Sequence, residues 1–195
     1  MDKVSYALGL SIGKHFWASG IKDIQIDDFA EGMKAAMNGV EPAISYEEAK
    51  KVTTDYFETL RQDKFELNRL AGREFLLVNR LKDGVVERPS GLQYQVLRKG
   101  TGPKPVASDK VICHYHGTHI DGTVFDSSVQ RGEPAEFGVS QVIPGWVEAL
   151  QLMKTGSKWR LFIPSNLAYG EHGAGDSIEP NCTLIFDVEL LDIVK

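Results

Sequence analysis

The stretch VIPGWVEALQLMKTGSKWRLFIP, Val142–Pro164, sets a helix and a strand end to end, each with its own stop signal. Pro144 suits a first helical turn, where a missing N–H removes no intrahelical bond. Trp146, Ala149, Leu150 and Met153 then recur at helical spacing and form one apolar face, and Gly156 ends the helix. SKWRLFIP follows with strand composition and closes at Pro164. The strand needs partners to pair with, and the helix needs a sheet to cover.

Both lie on either side. Upstream, Leu92, Tyr94 and Val96 alternate with Gln93 and Gln95 in GLQYQVLRKG, a half-buried strand. DKVICHYHGTHIDGTVFDSS reads as two strands joined at Asp121-Gly122, a strong hairpin signal. EPAEFGV adds a short strand. Downstream, the glycine-rich AYGEHGAGDSIEPN leads to CTLIFDVELLDI, where Leu184, Phe186, Val188 and Leu190 share a face. Five or so strands and one short helix predict an antiparallel sheet packed on a helix, an α+β arrangement.

Before KDGVVERPSG, Lys82–Gly91, the chain reads helical. Val4, Leu8, Ile12 and Phe16 make an apolar stripe on a first helix. Phe29, Met33, Ala36 and Met37 make one on a second, which Gly39 stops. Two short helices cannot bury both faces on each other, so a second copy of the chain is expected to supply the missing surface. A capping box, SYEE from Ser45 to Glu48, opens a third helix expected to run to Gly84, some ~55–60 Å long at 1.5 Å per residue. Its charged middle predicts a partly solvated connector, with Gly72 as the point where it bends. The expected division is 1–44, a helical dimerisation region; 45–84, a connecting helix; and 85–195, a sheet domain.

Composition excludes several roles. The 195 residues are 42% hydrophobic and 25% charged with net charge −5, and no basic run stands out. Nucleic acid is therefore not an expected partner, since phosphate binding needs clustered positive charge. No apolar run approaches the ~18–20 residues that span a bilayer, so no membrane role is expected. The N-terminal residues lack a secretory h-region. A cytoplasmic protein is the expectation, or a periplasmic one where a signal segment has been removed. Cys113 and Cys182 lack metal or redox spacing and are expected to fill core.

The acid Asp126, in GTVFDSS, poses the chemical question. Serine hydrolysis needs a histidine-activated serine, commonly on a G-x-S-x-G elbow, and that pattern is absent. His114, His116 and His119 crowd together, yet no carboxylate or cysteine pattern completes a metal site, so no metal or cofactor is expected. GEHGAG has scattered glycines, but no lysine follows and no helix opens there. What remains is a collection of aromatic and branched residues near turns: Tyr115, Phe125, Phe137, Val142, Ile143, Trp146, Tyr169, Ile178 and Phe186. Each alone reads as core. Their place on loop-to-helix segments points instead to an apolar pocket for an uncharged, amide-like ligand.

From Gly91 onward the chain resembles the FKBP family of peptidyl-prolyl cis–trans isomerases. The motifs GLQYQVL, VICHYHG, DGTVFDSS, VIPGWVEALQLMKTGSKWRLFIP, LAYGEHGAG and TLIFDVELLDI carry the resemblance in order. The helical part, SYALGLSIGKHF, IDDFAEGMKAA and a long helix, is similar to bacterial members of the macrophage-infectivity-potentiator type. The resemblance implies a homodimer through the N-terminal helices, proline-containing polypeptides as substrates, chaperone activity, and macrolide inhibitors such as tacrolimus or rapamycin.

It also implies roles for residues. Trp146 would be the floor under the proline ring, with Tyr115, Phe125, Val142, Ile143 and Phe186 as walls. Tyr169 would offer its hydroxyl to a substrate carbonyl. Asp126 would accept from Tyr115 and Arg131, and Phe137 and Ile178 would line the outer rim. The chain departs from the family pattern at Ala135, where many eukaryotic members have an aromatic, and at Ala174, where some have histidine. The alternative is a non-enzymatic chaperone or binding module that holds unfolded chains in the dimer's cleft.

Overall fold

The computed structural model describes residues 1–194. The chain divides into two compact units, Met1–Asp63 and Lys64–Lys195.

The first unit contains helices α1 (Lys3–Ala18) and α2 (Ile26–Asn38) and the opening turns of α3 (Tyr46–Asn79). Asp2 caps α1 by accepting from the Ser5 amide at 2.8 Å, and Gly39, at φ 64°, ends α2. Ser45 Oγ accepts from the Glu48 amide at 3.1 Å and starts α3. Phe16 and Phe29 meet edge to face at 5.5 Å. Neither α1 nor α2 contains a fully buried residue, and Val4, Leu8, Met33 and Met37 stay exposed. The apolar stripes thus leave a groove of about 500 Å³ whose lining includes Leu8, Ile12, Phe16, Met33 and Met37.

The second unit is a seven-stranded antiparallel sheet. In chain order the strands are β1 (Val85–Glu87), β2 (Gln93–Arg98), β3 (Lys110–His119), β4 (Val124–Ser127), β5 (Ala135–Gly138), β6 (Lys158–Ile163) and β7 (Leu184–Val194). They lie in the order β1-β2-β6-β7-β3-β4, with β5 also pairing β3. Helix α4 (Ser128–Arg131) follows β4, and α5 (Pro144–Leu152) crosses the inner face. Period-two alternation decides which side chains turn inward. Val111, Cys113 and Tyr115 of β3, Leu161 and Ile163 of β6, and Leu184, Phe186, Val188 and Leu190 of β7 pack with Trp146, Ala149 and Leu150 of α5. Full burial of one such aliphatic chain contributes roughly 1.5–3 kcal/mol.

Three local expectations are corrected. Helix α3 ends at Asn79 and not at Gly84: there the side-chain Nδ2 of Asn79 donates to buried Gln93 Oε1 at 2.9 Å and the chain turns into β1. Helix α5 ends at Leu152, where Met153 takes up extended backbone, and not at Gly156; α3 for its part runs unbroken through Gly72, where a Cβ would stand 2.3 Å from Thr183 Oγ1. Seven strands replace the expected five or so; β1 and α4, at three and four residues, are too short to show a period. Among the described residues no helix is long and apolar enough to cross a membrane.

Candidate active site

Trp146 enters the core from the first turn of α5 and is 4% exposed. Three rings stand almost perpendicular to its indole: Tyr115 at 5.6 Å, Phe137 at 5.6 Å and Phe186 at 5.4 Å. Phe125 meets Phe186 edge to face at 5.3 Å. Edge-to-face contacts match the positive rim of one ring to the negative face of the next, so the box is fixed in shape as well as apolar. It bounds a cavity of about 480 Å³.

Ten of the eleven residues singled out in the sequence line this cavity: Tyr115, Phe125, Asp126, Phe137, Val142, Ile143, Trp146, Tyr169, Ile178 and Phe186. The eleventh, Arg131, reaches the rim through hydrogen bonds. Ala135 packs against the core, and Ala174 forms an isolated bridge with Ile178.

The rim is built by GTVFDSS. Asp121 and Gly122 turn the hairpin, with Asp121 Oδ1 accepting from the Thr123 amide at 2.8 Å. Strand β4 then places Phe125 and Asp126 opposite β3. The serines do more than turn the chain. Ser127 Oγ accepts from the Gln130 amide at 3.2 Å and starts α4, whose last residue is Arg131. Buried Ser128 Oγ accepts from the Tyr115 amide at 2.7 Å and fixes that strand residue. The Tyr115 hydroxyl donates to Asp126 Oδ2 at 2.6 Å and accepts from Arg131 Nη2 at 2.8 Å, while Arg131 Nη1 bonds Asp126 Oδ1.

This triangle sets the protonation states. For Asp126, burial works to raise the pKa, but the hydrogen bonds from Tyr115 and Arg131 outweigh it and hold the carboxyl below the usual carboxylate range. Burial pushes the Tyr115 phenol up, and Asp126 pushes the same way. Burial also raises Tyr169, with the Asp126 charge adding to it. Around neutral pH the rim therefore holds one carboxylate and two neutral phenols.

The three clustered histidines each have a hydrogen-bond partner. His114 Nδ1 meets Ser128 Oγ at 3.1 Å, His116 Nδ1 meets Ser127 Oγ at 2.9 Å, and His119 Nε2 meets the Ser177 carbonyl at 2.9 Å. Cys113 is buried and Cys182 half-buried, both as free thiols.

Three positions escaped the sequence reading. Gln141 and Ser177 line the cavity beside Val142 and Ile178; polar residues in turns have no pattern that separates them from ordinary loop surface. Gly117 faces the walls: a Cβ there would lie 2.6 Å from Phe125 and 2.9 Å from Phe186. Its signal is the tripeptide Tyr115-His116-Gly117, a glycine inside an otherwise regular strand, which marks close approach.

Comparison with known proteins agrees with this architecture. Residues 102–191 match the family model of the FKBP-type peptidyl-prolyl cis-trans isomerase. Residues 1–96 match the domain amino terminal to it. The chain is 47% identical to the outer membrane protein MIP of Legionella longbeachae, over 100% of this chain and 86% of that one. It is 45% identical to the FKBP-type 22 kDa peptidyl-prolyl cis-trans isomerase of Escherichia coli, over 98% and 95%. The crystal structure of FkpA from Escherichia coli is similar with a TM-score of 0.77 at 36% identity, covering 98% of this chain and 95% of that one. The chain belongs to the FKBP-type peptidyl-prolyl cis-trans isomerases.

Proposed function

We propose that the aromatic cavity seats the proline ring of a polypeptide substrate over Trp146 and lowers the barrier to rotation about the preceding peptide bond. The observation carrying this reading is the perpendicular box of Tyr115, Phe137 and Phe186 around that indole. Rotation about a peptide bond faces about 18–20 kcal/mol because resonance makes the bond partly double. X-Pro bonds populate both isomers but exchange over tens to hundreds of seconds. The planar amide is more polar than the twisted one, so a water-poor apolar seat favours the twisted form relative to its ground state.

The walls are Phe125, Val142, Ile143 and Phe186, with Phe137 and Ile178 toward the opening. Tyr169, 38% exposed at the rim, donates its hydroxyl to a substrate carbonyl and holds the chain while the bond turns. Asp126 and Arg131 keep Tyr115 in place. No bond is broken, so no side chain has to act as nucleophile. Macrolides such as tacrolimus and rapamycin would compete for the same seat.

The functional division we propose is 1–44 for dimerisation, 45–84 for the connecting segment, whose helix ends at Asn79, and 85–195 for catalysis. The exposed apolar faces of α1 and α2 support a homodimer through them, and holding of unfolded chains by that dimer is a second role compatible with the first. The compartment we propose is the cytoplasm, or the periplasm where a signal segment has been removed.

The test is a protease-coupled assay on a proline-containing tetrapeptide. Catalysis that tacrolimus inhibits is the expected result. A rate equal to the uncatalysed one would overturn the reading.

A further inference from the structure

Beside the cavity runs a loop that carries two of its residues, Tyr169 and Ile178, with little regular structure of its own. Its single β-bridge joins Ala174 to Ile178, whose amides and carbonyls exchange bonds of 2.8 and 3.1 Å. A loop of this length needs outside anchors to hold one shape. One comes from the β3–β4 hairpin, where His119 Nε2 meets the Ser177 carbonyl at 2.9 Å. The others come from α3. Lys64 Nζ lies 2.6 Å from Glu179 Oε1. Asn68 Nδ2 donates to Glu179 Oε2 at 3.2 Å and to the Pro180 carbonyl at 3.1 Å, using both of its protons on adjacent loop residues. Asn181 Nδ2 reaches back to the Phe65 carbonyl at 3.4 Å.

The anchored segment is in turn tied to the other cavity residue. The Asn181 amide donates to the Gly170 carbonyl at 2.8 Å, next to Tyr169. Asn181 is also the one non-glycine residue with positive φ among the described residues, at 61°, a backbone state that persists where surroundings enforce it.

Resting on the isomerase reading of the cavity, we infer that Asn68, with Lys64 beside it, is a positioning residue for catalysis. It touches no substrate. Its amide fork holds Glu179–Asn181 against α3, and through that segment keeps Ile178 at the cavity wall and Tyr169 at the rim. Asparagine suits the task because one nitrogen supplies two donors from a short stem, for a carboxylate and a carbonyl one residue apart. Burial works to raise the Glu179 pKa, but Lys64 and Asn68 bring it below the ordinary carboxylate range, so the acceptor stays charged at neutral pH.

Loosening the loop lowers the fraction of molecules with a competent cavity, and apparent affinity falls by that fraction. The experiment measures KM and kcat on a proline-containing tetrapeptide for the full chain and for Asn68→Ala, Lys64→Ala and Lys64→Arg. Asn68→Ala is expected to raise KM about fivefold with kcat within about twofold of the parent. Lys64→Ala should raise KM about twofold in low salt and match the parent in 1 M NaCl, where exposed pairs are screened. Lys64→Arg, which keeps the ion pair, should match the parent throughout. Lys64 is exposed, so Lys64→Ala decides the matter if Asn68→Ala does not fold. Unchanged KM in the folded variants overturns the inference while leaving the isomerase reading intact. Absence of catalysis in the parent overturns the reading itself.

Discussion

The Tyr115 hydroxyl gives its only proton to Asp126 Oδ2 at 2.6 Å and takes a proton from Arg131 Nη2 at 2.8 Å. Arg131 also bonds the other oxygen of the same carboxylate. Each member of the triangle is thereby hydrogen-bonded to the other two. Asp126 is an acceptor that locks an aromatic wall and has no proton to deliver.

Removing that acceptor should loosen the wall without removing the floor. Asp126→Ala is expected to lower kcat/KM roughly tenfold, since a hydrogen bond to a charged group contributes about 1.5 kcal/mol or more. Tetrapeptide kinetics check this. Complete loss of activity in a folded variant would give Asp126 a chemical role that the geometry does not support.

The pH profile follows from the direction of each shift. Asp126 lies below its ordinary value when folded, so its contribution is present above the unfolded carboxylate pKa and is lost as pH falls through the folded one. Tyr115 and Tyr169 are raised, so their neutral forms persist past the ordinary phenol value. kcat/KM should be flat from about pH 5 to about pH 9, with loss only in stronger acid, where Asp126 takes up a proton. A bell centred near neutrality would contradict this.

Gly117 should tolerate no side chain. A methyl group there would sit 2.6 Å from the Phe125 ring and 2.9 Å from Phe186, and both rings line the cavity. Gly117→Ala is expected to cost about 1–3 kcal/mol in urea unfolding, the usual range for overpacking. It should also lower kcat/KM, because the displaced atoms are the walls themselves.

For the first unit, Ile12→Glu places a charge in the apolar groove between α1 and α2. The expected outcome is a dimer-to-monomer change in light scattering with tetrapeptide kcat/KM unchanged. A parent protein that scatters as a monomer at every concentration would remove the dimer proposal.

Much of the second unit was legible because its strands alternate cleanly and its one substantial helix has a proline start; its stop was not, since the helix ends at Leu152 and Gly156 lies beyond it. Strand β1 and helix α4 were not, since three or four residues carry no period. What Gly72 packs against was not legible, because sequence reports a glycine's propensity cost and is silent on what faces it; Thr183, 111 positions along the chain, is what faces it. The aromatic residues of the cavity could be gathered from their turn positions, but their separate roles came from the motifs of the family. Asn68 was invisible for the same reason as Gly72. It lies on a charged helix surface in sequence, and only folding brings Glu179 and Pro180 to its amide.

The central claim is that this cavity turns a peptide bond without moving a proton. Comparing kcat/KM on a proline-containing tetrapeptide in H₂O and in D₂O, with the unsubstituted protein, tests it most directly. A ratio of about one is expected, because no acid or base transfers a proton in the transition state. A ratio clearly above two, accompanied by a titration near neutral pH, would contradict it.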